Sequence, residues 1–135
     1  MRPNPHAPAA AQVARVVARY FEVLNGADPE RLRDLLTDDF CDEDPLAGAL
    51  GVDGVIKRVR LYRLAIPDAH SVVEAVIPHE EGATVVWVTT TADLDGAAER
   101  ASYRYTAELT MRGPQIRSHH VVSVVPIHPC LAASA

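Results

Sequence analysis

Over residues 100–112 polar and apolar side chains alternate without a break. Arg100, Ser102, Arg104, Thr106, Glu108, Thr110 and Arg112 fall on one face, and Ala101, Tyr103, Tyr105, Ala107, Leu109 and Met111 on the other. A helix would scatter this pattern around its circumference, whereas a strand sorts it into a wet face and a dry one. The segment predicts a long, half-buried antiparallel strand. Residues 70–79, 84–92 and 115–125 are further strand candidates, separated by turns at Glu80-Glu81-Gly82, 93–98 and Gly113-Pro114.

Upstream of Ile66-Pro67-Asp68 the period is helical. Val13, Val16, Val17, Tyr20, Phe21 and Leu24 make one stripe over residues 9–25, and Asn25-Gly26 ends it. Asp28-Pro29 supplies an N-cap and a proline at the first helical position. A second helix is expected from there to about Leu36, with Leu32, Leu35 and Leu36 inward. Residues 45–54 hold three glycines and read as a loop. A third helix over 53–64 puts Val55, Val59 and Tyr62 on one face. Helices first and long strands after is an α+β order. Strands this long curl, and a curved sheet wrapped against helices leaves a cone-shaped cavity. The expected organisation is a disordered arm at 1–8 with three prolines, a single domain over 9–126, and a tail at 127–135.

The 135 residues suffice for one domain with a sizeable core. Net charge is −5, and no Lys/Arg cluster interleaves with aromatics, which argues against nucleic acid and against an anionic membrane surface. No apolar run is long enough to span a membrane, and Arg15 and Arg19 interrupt the only candidate signal segment. A cytoplasmic protein is expected. Cys41 and Cys130 are far apart, with no disulfide framework or metal-binding spacing; no metal and no cofactor are expected.

The chemistry concentrates at Asp38-Asp39-Phe40-Cys41-Asp42-Glu43-Asp44-Pro45. An acidic run is usually a solvated loop. Read as a strand, this one puts Phe40, Asp42 and Asp44 on one face. If Phe40 faces the core, the two carboxylates face it too, and a carboxylate in an apolar cavity is a candidate acid or base. Asp44 is the first choice for that role. Asp42 shares its face, although the default exposure of Asp favours a solvated place at the strand start. Tyr20 lies on the buried stripe of the first helix and its hydroxyl needs a partner or a substrate. His119 and His120 are adjacent, so only one can face a cavity. The alternation Ile116, Val122, Val124 points His120 inward. Phe40, Trp87, Tyr103, Tyr105 and Met111 suit a pocket wall.

Arg19-Tyr20, Leu24-Asn25, Asp38-Asp39, Glu43-Asp44-Pro45, Gly48, Gly51, Gly54 and Pro67-Asp68 together resemble the nuclear-transport-factor-2-like superfamily. Within it the chain looks most like the ketosteroid isomerases and the SnoaL-like polyketide cyclases. The resemblance spans about residues 10 to 125 and implies a cone-shaped sheet around N-terminal helices and a homodimer through the outer sheet face. It implies that Asp44 is a general base and Tyr20 an oxyanion donor. It places His119 at the pocket, against the alternation; a β-bulge would reconcile the two. The isomerases carry a second oxyanion donor where this chain has Ala107, and the cyclases an Asp where it has Ser118-His119-His120-Val121-Val122.

The expected function is acid/base catalysis without a cofactor on a hydrophobic carbonyl or polyketide-like small molecule, by an isomerase or a cyclase. Asp44 would be the base, Tyr20 the hydrogen-bond donor, and Asp42 or an inward His the second acid. Epoxide opening, as in an epoxide hydrolase or polyether cyclase, is an alternative. A non-catalytic ligand-binding or assembly domain is another.

Overall fold

The structure, a computed structural model, describes residues 9–44, 48–91 and 101–127; the side chain of Asp44 and the expected arm and most of the expected tail lie outside them. Helix α1 is Ala10–Leu24, a short 3-10 turn covers Pro29–Arg31, and α2 is the single turn Leu32–Leu35. Strands β1 (Leu36–Asp44) and β2 (Gly48–Leu50) precede α3 (Val52–Ala65). Four long strands follow: β3 (His70–His79), β4 (Gly82–Thr91), β5 (Ala101–Arg112) and β6 (Gln115–Ile127).

Helix α1 buries Val13, Val16, Val17, Tyr20, Phe21 and Val23, which is the stripe its spacing predicts, with Val23 in place of Leu24 as the last fully buried residue. Its C-terminal carbonyls, at Val23 and beyond it at Ala27, accept hydrogen bonds from the Arg63 guanidinium, so α3 ties down the end of α1. At Asp28 the carboxylate accepts from Glu30 N at 3.0 Å, the expected cap. Two expectations are corrected. The second helix stops at Leu35, and Leu36 opens β1 instead. The glycine-rich loop contains β2, antiparallel to the end of β1 with Asp42 opposite Leu50.

The six strands form one curved, unclosed, mixed sheet in the order β2-β1-β6-β5-β4-β3. β1 runs parallel to β6, and every other neighbouring pair is antiparallel. Partners across an antiparallel ladder point to one face. Ala83, Val85 and Trp87 lie opposite Leu109, Ala107 and Tyr105, and those residues face the helices. The core closes around Leu32, Leu36, Val55, Val59 and Ile116.

Strand β6 has two irregular steps. Thr110 pairs with Ser118 but Met111 with Ile116, leaving Arg117 as an extra residue; Thr106 pairs with Ser123 but Ala107 with Val121, leaving Val122 extra. Each extra residue reverses the phase of alternation. The first bulge lets Ile116 and His119 share the inner face, three residues apart.

Candidate functional site

Between the helices and the concave face of the sheet lies a cavity of about 520 Å3. Tyr20 and Leu24 come from α1, Asp42 from β1, and Arg58, Val59, Tyr62 and Arg63 from α3. Ser71, Trp87, Thr89, Tyr105, His119 and Val121 come from the long strands. A larger hollow of about 620 Å3 lies between α1 and β3, but among the described residues Glu22 and His70 are its only titratable linings.

Asp42 is the centre of the charged cluster. Phe40 and Asp42 alternate with the exposed Asp39 and Glu43 and the half-buried Cys41, and both are buried, at 3% and 2% exposure. The expectation of a solvated Asp42 is therefore wrong. What permits the burial is Arg58, whose Nη2 donates to Asp42 Oδ2 at 2.5 Å. His119, paired with Asp42 in the β1–β6 register, brings Nδ1 to 3.4 Å from the same oxygen. It does not form a hydrogen bond there, and among the described residues Nδ1 has no hydrogen-bond partner. Burial pushes the Asp42 carboxyl up, but His119 and Arg58 together outweigh it and hold the group below the usual carboxylate range.

Tyr20 is 4% exposed, with its ring 6.0 Å from the His119 imidazole. Its hydroxyl is pushed up to about 12, first by burial, then by the negative charge of Asp42, with Arg58 opposing. It is a neutral O–H donor across the physiological range. On the opposite wall Trp87 stacks on Tyr105 with ring centroids 5.2 Å apart and planes 6° from parallel, and the Trp87 ring is 6.0 Å from His119.

The other sequence-predicted residues are placed as follows. His120 is on the outer face, with Nδ1 3.4 Å from Glu43 Oε2 and half its side chain in solvent. Phe40 belongs to the core and does not line the cavity. Met111, opposite Ile116, is packed against the core away from it. Tyr103 is on the inner face but 37% exposed, past the cavity's lining. Asp44 closes β1, and its side chain is outside the described residues. Sequence reasoning missed Arg58, Arg63, Ser71 and Thr89. Arg58 had a signal: it sits three residues after Val55 and four before Tyr62, a cation inside an apolar stripe. Among the described residues no group of three or more His, Cys, Asp or Glu could hold a metal ion.

Comparison with known proteins bears on the whole domain. Residues 17–119, more than half of the chain, match the family described as a SnoaL-like domain. No curated protein matches the chain. A candidate SnoaL-like polyketide cyclase from Jannaschia sp. CCS1 superposes with a TM-score of 0.72 at 17% identity, over 99% of this chain and 94% of that one. IdmH, a candidate polyketide cyclase from Streptomyces antibioticus, gives 0.72 at 16% identity, over 82% and 91%. AclR, a candidate hydroxylase from Streptomyces galilaeus, gives 0.71 at 13% identity, over 93% and 94%. At these identities the likeness is one of fold, the nuclear-transport-factor-2-like fold, and the differing descriptions show that the fold alone does not fix the reaction.

Proposed function

The chain belongs to the SnoaL-like domain family, and on that premise we propose that it is a cofactor-independent acid/base enzyme acting on a hydrophobic, carbonyl-bearing small molecule of polyketide type. One observation carries the reading: an ionised carboxylate, Asp42, is sunk in the wall of an apolar cavity against a buried imidazole. In this reading His119 is the base and Asp42 its orienter. With Nδ1 turned to the carboxylate, Nε2 is the nitrogen left for a substrate.

The proton accounting is simple. Nε2 takes a proton from the carbon beside a carbonyl. The electron pair moves onto the carbonyl oxygen, where the Tyr20 hydroxyl donates a hydrogen bond to the growing charge. Asp42 balances the imidazolium, which then returns the proton at another atom of the substrate, or to the oxygen after ring closure. Arg58 keeps Asp42 ionised throughout. On the same family reading the functional unit is a homodimer.

The test is exchange of the α-protons of a flat cyclic ketone, a tetralone, for solvent deuterium. Wild-type protein is expected to catalyse exchange. His119→Asn and Asp42→Asn are each expected to slow it by about 10²–10⁴-fold, the usual worth of a positioned general base. Equal exchange in wild type and both variants, or a bound tetralone that never exchanges, would overturn the reading. Conversion of an aryl epoxide to a diol in place of exchange would reassign the same dyad to epoxide opening.

A further inference from the structure

The cavity has a second polar station that the acid/base chemistry does not use. Ser71 on β3 and Thr89 on β4 are register partners on the inner face, and their hydroxyls are 2.7 Å apart. Thr89 is 6% exposed, and both residues line the 520 Å3 cavity. A pair of hydroxyls holds two donors and four lone pairs; one mutual hydrogen bond uses one of each and leaves a donor free.

The station is also held in place. β3 is the edge strand of the sheet. Asn25, at the end of α1, completes that edge at one residue: its Nδ2 donates to Ser71 O at 2.7 Å, and its Oδ1 accepts from Ser71 N at 2.8 Å. Both backbone groups of Ser71 are thereby fixed by a side chain of the helix that carries Tyr20. Sites that discriminate between ligands are built from groups fixed in this way.

Trp87 lies between the two stations. Its ring is 6.0 Å from His119, and Thr89 is two residues further along β4 on the same face, about 6–7 Å at the usual strand rise. Trp87 and its cross-strand partner Tyr105 stack beside that interval.

We propose that Ser71 and Thr89 form a specificity site that reads a hydroxyl or carbonyl oxygen at the end of the ligand away from His119, so that the preferred ligand is flat and oxygenated at both ends. This rests on the cavity being the substrate site, as proposed above, and on none of the proton-transfer chemistry. Equilibrium binding therefore tests it separately. Trp87 is the one tryptophan of the chain and reports occupancy by its fluorescence.

The probes are a naphthalene with hydroxyls at opposite ends and the same naphthalene with one. Wild-type protein is expected to bind the two-ended probe about five- to ten-fold more tightly, the worth of one added hydrogen bond. Thr89→Val keeps shape and removes the hydroxyl, and Ser71→Ala is the second variant. In each the preference is expected to fall towards one while the one-ended probe binds as before. An unchanged preference in both variants, or no binding of either probe to wild type, overturns the proposal.

Discussion

The Asp42 carboxylate has one close partner, Arg58, and one loose one, His119, and both approach the same oxygen. Asp42→Asn removes the charge and leaves the guanidinium facing an amide. A buried charged hydrogen bond lost in this way costs about 1–3 kcal/mol; Arg58 keeps 35% of its side chain in solvent, which places the loss toward the low end. Urea unfolding at neutral pH measures it. The same group gives a sign for pH. The folded carboxyl is lowered, so its contribution is whole above the unfolded value of about 3.9 and is lost as pH falls through the folded value. Wild type should therefore lose stability below about pH 4 more steeply than Asp42→Asn. Tyr20 runs the other way. Its hydroxyl is raised to about 12, so the contribution is present below about pH 10 and fades as pH rises through 12. Tyr20→Phe should stay folded and lose about 10²–10³-fold in deuterium exchange, the usual price of one oxyanion donor.

At the scale of elements, the start of β4 lies tight against β5. A Cβ on Gly82 would meet the carbonyl oxygen of Leu109 at 1.9 Å and its carbon at 2.8 Å, both backbone atoms of β5. The two strands can accept it only by separating where Met111 N also donates to Glu81 O at 2.8 Å. Gly82→Ala should cost about 1–3 kcal/mol, read as a thermal midpoint several degrees lower. Nothing in the sequence marks that glycine apart from its turn. Strand β5 and helix α1 were legible because each carries a long, single-period pattern on one face. β2 was not, because three residues of Gly-Ala-Leu hold too little pattern to oppose three glycines nearby. The inward histidine was not legible from alternation, although the resemblance placed His119 at the pocket. Counting by twos from Ile116 reaches His120, and only the extra residue at Arg117, a feature of pairing with β5, hands the inner face to His119. Asp42 was read as solvated because its neutralising partner lies 16 residues away on a helix; local pattern sees the acid and not the cation.

The whole molecule has helices on one face of its sheet, and the other face carries both charge pairs and uncovered valines. Val72, opposite Val88, is 56% exposed, and Val125, opposite Arg104, is 51% exposed; Ile77, opposite Thr84, is 55% exposed. Around them stand the pairs Arg104–Glu74 and His79–Glu108. Uncovered aliphatics ringed by satisfied charges are the composition of an interface between like surfaces. We propose that a second copy of the chain covers this face about a two-fold axis, which brings each exposed valine against the equivalent surface of its partner. Light scattering during size exclusion should give the mass of two chains, falling toward one on dilution. Val125→Asp should shift the protein to a single chain at concentrations where wild type is paired, without a change in probe binding, because Val125 points away from the cavity. A single-chain mass for wild type at every concentration would refute the pairing and leave the cavity chemistry untouched, since the residues of the Asp42 and Ser71 stations come from one chain.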